Sequence, residues 1–213
     1  NVKLVACLTF VKKEGEGFMD ARMERSREAI IRAIIPMIET MPLAEISITR
    51  LVSAAGVTRP TFYQQFPDIL TAARVAAFQR LMEAFPFPEP LPPGTVLTTE
   101  KLRERVIRRA EPIFGHLSAH RTFYVRVMDE AGTAGLLGEL IEFTAERLLP
   151  EAMAALAGAP ERAARVTEFF AGGLTWLTIR WLRSGQPAEP ADMAMQVADL
   201  VTDLVGEIPC RRR

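Results

Sequence analysis

Ile46-Ser47-Ile48-Thr49-Arg50-Leu51-Val52-Ser53-Ala54-Ala55-Gly56-Val57-Thr58-Arg59-Pro60-Thr61-Phe62-Tyr63-Gln64-Gln65-Phe66 is the stretch on which the fold turns. Ser47 is placed to cap a first short helix, Ile48 to Ala55, through its hydroxyl. Leu51 and Val52 point inward, and the small Ala55 suits two crossing helices. Gly56 supplies the left-handed residue that ends the first helix. Val57 plugs the turn. Thr58 caps a second helix, Arg59 to Phe66, and Pro60 sits in its first turn, where a missing N–H does no harm. Phe62 and Phe66 are four apart and share the buried face. Two short helices joined by a tight glycine turn make a helix-turn-helix.

That arrangement leaves Arg59, Thr61, Tyr63 and Gln64 mostly outward. In a helix-turn-helix the second helix enters the major groove and offers its first residues to the base edges. A helix N-terminus attracts phosphate. Arg59 suits a guanine edge or a phosphate, and Gln64 or Gln65 suits an adenine. Tyr63 and Thr58 hydroxyls suit phosphate oxygens, which fix register without reading sequence. The candidate DNA-contacting set is Ser47, Thr49, Arg50, Thr58, Arg59, Pro60, Thr61, Tyr63, Gln64 and Gln65. An ordinary helical hairpin would use Leu51, Val57, Phe62 and Phe66 equally well. It would not require the exposed Arg59, Thr61 and Tyr63.

Formal net charge is zero over 213 residues, so DNA binding must rest on a local patch. Between residues 47 and 80 stand four arginines, Arg50, Arg59, Arg74 and Arg80, against one acid, Asp68. Upstream, Ile30, Ile34, Ile38 and Met41 form an apolar helical stripe over about Arg22 to Thr40. Pro36 within it is expected to kink or split that helix. Downstream, Asp68 opens a helix that runs to about Phe85. Then comes the strongest breaker in the chain, Pro86 to Gly94. Strand signals are almost absent. From about Thr99 to Val205 the pattern reads as five more helices, with breaks near His116–His120, Ala131–Gly135, Gly158–Pro160 and Ser184–Pro190. The fold class is all-α. Residues 1–20 are expected to be a poorly ordered leader, with Met19 or Met23 as alternative starts; 21–85 is the DNA-binding domain and 95–208 a larger helical domain. Cys7 and Cys210 sit at opposite ends and give neither a disulfide framework nor a metal spacing, which fits a cytoplasmic setting. No apolar run reaches membrane-spanning length, so no membrane partner is expected.

Gly56-Val57-Thr58-Arg59-Pro60-Thr61-Phe62-Tyr63-Gln64-Gln65-Phe66-Pro67-Asp68, with the lead-in Met41 to Ile48, resembles the pattern of TetR-type transcriptional regulators. That pattern runs glycine, apolar, Ser/Thr, two variable residues, Thr, aromatic, Tyr, two residues, Phe. The resemblance covers about residues 22–85. Three positions depart from it: Gln65 stands where histidine is common, Ile69 where a phosphate-binding lysine is common, and Pro36 is unusual in the first helix. The resemblance implies a homodimer that binds operator DNA, usually as a repressor, and a C-terminal domain that senses a small molecule. A second reading, motivated by zero net charge and the missing lysine, is a helical ligand-binding or interaction protein with a degenerate DNA motif.

For the C-terminal part the resemblance implies a central ligand chamber and a terminal dimer face. Two apolar stripes are compatible with the face: Val166, Phe169, Phe170, Leu174, Leu177 and Trp181 on one helix, and Met193, Val197, Leu200, Val201 and Leu204 on the last. Chamber candidates are Phe114, His120, Phe123, Tyr124, Val127, Met128, Phe143, Trp176 and Arg180, with His116 and Leu174 beside them. Methionine and aromatics line adaptable apolar pockets, and the same spacing also serves plain core. His116 and His120, four apart, have metal-binding spacing without a third ligand at a fixed offset, so no metal or cofactor is expected. Arg126 and Glu130, also four apart, read as a solvated pair. No nucleophile elbow, phosphate loop or dinucleotide fingerprint occurs, and no enzymatic activity is expected.

Overall fold

The computed structural model describes residues 19–85, 88, 98–132, 134–148, 160–185 and 188–206. Among these residues there are nine α-helices and no strand. They are α1 (Met19–Thr40), α2 (Ile48–Ala55), α3 (Arg59–Gln65), α4 (Ile69–Ala84), α5 (Thr99–Ala119), α6 (Arg121–Glu130), α7 (Ala134–Leu148), α8 (Pro160–Arg183) and α9 (Pro190–Gly206). A single 3₁₀ turn, Leu43–Glu45, precedes α2. Residues 1–18 of the expected leader lie outside the described residues, as does the proline-rich break at 86–94 apart from Pro88. Among the described residues no helix is long and apolar enough to cross a membrane.

The chain divides into two compact units, residues 1–79 with 126–139 and residues 80–125 with 140–213. In the first unit the core is built from Ile30, Ile34 and Ile38 of α1, Leu51 of α2, and Phe62 and Phe66 at α3, all essentially without solvent exposure. Each such side chain taken out of water contributes roughly 1.5–3 kcal/mol. On α4 the buried positions Ala72, Ala73, Ala76 and Ala77 are small. Asp68 caps that helix, its Oδ1 accepting the Thr71 N–H at 2.6 Å.

Pro36 does not split α1, which continues unbroken to Thr40. A proline in a helix removes one hydrogen bond and crowds the preceding turn. Here the isoleucines on both sides of it, Ile34 and Ile38, are fully buried and hold the helix in place.

In the second unit α5 and α9 pack along each other. Leu102, Val106, Ala110, Ile113, Phe114 and Leu117 on α5 are buried, as are Met193, Ala194, Val197, Ala198 and Val201 on α9. Phe114 meets Trp181 of α8 edge-to-face at 5.2 Å. The Trp181 Nε1–H donates to the Ala188 carbonyl at 2.8 Å and ties down the turn after α8. Thr144 of α7 and Thr175 of α8 pair their hydroxyls at 2.9 Å, so two buried polar groups satisfy each other.

Candidate nucleic-acid interface

The hinge at Gly56 carries the geometry its residues imply. Ser47 has extended backbone (φ −85°, ψ 147°), and its Oγ accepts the Arg50 N–H at 3.2 Å. Gly56 lies in the left-handed region at φ 65°. The Val57 N–H reaches back to the Val52 carbonyl at 3.0 Å and the Gly56 N–H to Ser53 at 3.3 Å. These two bonds form a Schellman stop, which satisfies the carbonyls that a helix end leaves open. Thr58 then caps α3, accepting the Thr61 N–H on Oγ1 at 3.3 Å, with Pro60 in the first turn. Helices α1, α2 and α3 pack on one another, with Phe62 and Phe66 at the centre and ring centroids 6.0 Å apart. The Arg27 guanidinium lies over the Phe66 ring at 5.2 Å.

Of the candidate DNA-contacting residues, Ser47, Thr49, Arg50, Thr58, Arg59, Pro60 and Gln64 are exposed, and Tyr63 is 57% exposed. Thr61 is half-buried, and its hydroxyl lies 2.8 Å from that of Thr58. Arg59 donates to the Thr49 hydroxyl across the hinge. Arg50 donates to Met41 Sδ at 3.4 Å. The two glutamines separate. Gln64 faces solvent, whereas Gln65 is half-buried with its Nε2 shielded and without a hydrogen-bond partner among the described residues.

The basic patch is smaller than the sequence suggests. Arg74 donates to the Ala131 carbonyl at 2.7 Å and to the Thr71 hydroxyl at 3.0 Å. Arg80 reaches His120 Nδ1 at 2.8 Å and lies over the Phe123 ring at 4.9 Å. Of the four arginines, Arg50 and Arg59 are the exposed ones. Arg126 and Glu130 are not simply a solvated pair either. Arg126 donates to the Ile38 carbonyl at 2.6 Å, where a cation suits the end of α1. Glu130 accepts the Leu43 N–H at 2.7 Å. Both brace the framework under the helix-turn-helix. Their partners lie 88 and 87 residues away in sequence, so no local signal reveals them.

This tri-helical framework is followed by an all-helical second unit, and residues 108–203 match the family model TetR_C_8, a transcriptional regulator C-terminal region. Over those residues the chain is similar to the C-terminal region of transcriptional regulators of that family model. Its fold is similar to that of a TetR-family transcriptional regulator from Streptomyces coelicolor, with a TM-score of 0.57, 22% identity, and coverage of 85% of this chain and 80% of that one. It can also be superposed on the TetR family repressor AlkX from Dietzia sp. strain DQ12-45-1b, implicated in biodegradation of n-alkanes, at a TM-score of 0.48, 18% identity, and coverage of 84% and 97%. No curated protein matches the chain.

In the second unit, several of the residues expected to line a ligand chamber come together. His116 Nε2 lies 2.9 Å from the Tyr124 hydroxyl. Phe85 meets the His116 ring edge-on at 5.3 Å and the Phe143 ring at 6.4 Å. Phe123 packs against Tyr124 at 5.1 Å. Arg147, nearly fully buried, donates to the Phe85 carbonyl and lies 5.8 Å over Phe143. Burial, followed by the nearby His120 and Arg80 charges, lowers the His116 pKa from 6.5 to about 4. Burial likewise pushes the Tyr124 hydroxyl above its ordinary range, and desolvation pulls the Arg147 guanidinium below its own. His116 and Tyr124 are therefore both neutral near pH 7. The two histidines each turn a ring nitrogen to another side chain, Tyr124 or Arg80.

Five of the expected residues sit elsewhere. Val127 and Met128 are buried within the first unit. Trp176 is 53% exposed, and Arg180 is exposed beside it. Trp176 lies two residues from the buried Leu174, about 200° round the helix, so the two cannot share a face. Phe114 packs on Trp181, as part of the α5–α8 core.

Proposed function

We propose that this chain is a TetR-family repressor that binds operator DNA as a homodimer and is released by a small apolar or amphipathic ligand. The observation that carries the DNA half is the outward presentation of Arg59, Tyr63 and Gln64 on a capped helix whose other face is locked by Phe62 and Phe66. Arg59 and Gln64 are the base-reading candidates, and Tyr63 with the Ser47–Arg50 turn suits the phosphates. Gln65, half-buried with its amide nitrogen shielded from solvent, is a weaker base-reading candidate. A two-fold dimer would set two such helices about 34 Å apart.

The ring cluster of Phe85, His116, Phe123, Tyr124 and Phe143 supports the ligand half: it is apolar, with a few polar groups to fix orientation. A ligand acts on DNA affinity only through its differential affinity for the two forms of the dimer. The outer surface of α8 and α9 supports the homodimer. Phe169 is 78% exposed there, and Trp176, Leu177, Met195 and Leu200 are also open to solvent.

Duplexes selected from a random pool by the full chain, then tested by gel shift, check this assignment. Changing Arg59 and Tyr63 together to alanine is expected to lower affinity for the selected duplex about a hundredfold or more, since a bidentate base contact alone discriminates by about 1–3 kcal/mol. Unchanged binding would count against the interface.

A further inference from the structure

Arg59 and Thr49 belong to different helices of the hinge, ten residues apart, and the arginine guanidinium donates to the threonine hydroxyl. Both residues are exposed. Thr49 occupies the second position of α2, and Arg59 the first of α3. The neighbouring hydroxyls are engaged otherwise: Ser47 with the Arg50 N–H, and Thr58 with Thr61.

Resting on the proposed DNA interface, we infer that Thr49 is a positioning residue: its hydroxyl holds the Arg59 guanidinium in the orientation that meets a base edge, and Thr49 adds no base contact of its own. A guanidinium carries five N–H donors in a fixed planar fork. One donor given to Thr49 leaves the others for the two acceptors of a guanine edge. Lost rotamer freedom is a main cost when a long exposed side chain meets a partner, and holding it beforehand reduces that cost. Because a base edge demands a defined fork orientation and a phosphate tolerates several, the contribution belongs to sequence-specific binding rather than to general attraction for the backbone.

The test uses the full chain, the duplex it selects from a random pool, and a scrambled duplex of the same composition. Thr49→Val keeps the shape of the side chain and removes its hydroxyl. It is expected to weaken binding to the selected duplex about three- to tenfold, the range of one net hydrogen bond, with binding to the scrambled duplex and the thermal midpoint unchanged. Thr49→Ser is expected to restore affinity. In an Arg59→Ala background Thr49→Val should cost nothing further. An equal cost in that background would show that Thr49 meets DNA itself, and an equal loss on both duplexes would make it a general backbone contact; either result overturns the inference. So does an unweakened Thr49→Val. A wild-type chain that selects no duplex would instead remove the DNA-binding reading beneath it.

Discussion

Helices α2–α3 and helix α8 each carry apolar and polar residues at helical spacing, and they answer to different causes. In α2–α3 the signals lie within twenty residues: a serine cap, a left-handed glycine, a threonine cap, and two phenylalanines four apart. Each is satisfied by a neighbour in sequence, so the local backbone and the buried face follow together. In α8 the apolar residues fall on two faces. Leu174, Ile179, Trp181 and Leu182 are buried, while Phe169, Trp176 and Leu177 are exposed. The single stripe read from periodicity mixed the two. On α9 the same thing happens, with Met193, Val197 and Val201 inside and Leu200 outside; the Leu204 side chain lies outside the described residues. The lesson is that periodicity finds an amphipathic helix, but a helix with two apolar faces needs its partners before either face can be assigned.

The comparison is tested most strongly by two aromatic truncations. Phe62→Ala empties a fully buried site and should cost about 3–5 kcal/mol in urea denaturation. Trp176→Ala should leave the helical circular dichroism intact and, for the homodimer proposed above, raise the dissociation constant in sedimentation about thirtyfold, the size of a hot-spot tryptophan. A Trp176→Ala chain as unstable as Phe62→Ala would place that residue in the core and erase the contrast.

Gly56→Ala isolates the backbone part of the hinge. A Cβ there meets nothing within 4 Å, so crowding is not the obstacle. The positive φ is, and the expected loss is about 1–2 kcal/mol. A neutral result in thermal or chemical denaturation would mean that the hinge does not depend on its glycine.

A pH-dependent effect concerns the second unit. His116 has its folded-state pKa depressed from 6.5 to about 4. Between those values the unfolded chain binds more protons than the folded one, so stability falls as pH drops through that window and levels off below it. His116→Gln should flatten this part of a denaturation-midpoint-versus-pH curve. A slope unaltered by the substitution would mean that another group is responsible.

The helix-turn-helix was legible because caps, glycine stops and four-residue spacings act over a few bonds. The smaller basic patch was not. Arg74 and Arg80 look like DNA-facing charge until Ala131 and His120 are brought to them. Arg126 and Glu130 look like a pair four apart until Ile38 and Leu43 arrive as partners. Trp176 and Arg180 look like chamber residues until Leu174 and Trp181 define the inner face of α8. Pro36 reads as a break because sequence shows its cost but not the buried isoleucines that hold the helix through it.

Taken alone, the order of residues determined that this chain is helical, where its short helices begin and end, and that two of them meet at Gly56 with an arginine, a tyrosine and a glutamine outside. Only the tertiary structure decided which charges turn inward, which of two apolar faces is buried, and which distant residues brace the helix-turn-helix. The physical reason is range: capping and backbone conformation are settled by atoms a few residues apart, whereas burial and the pairing of long charged side chains depend on segments that sequence separates by tens of residues.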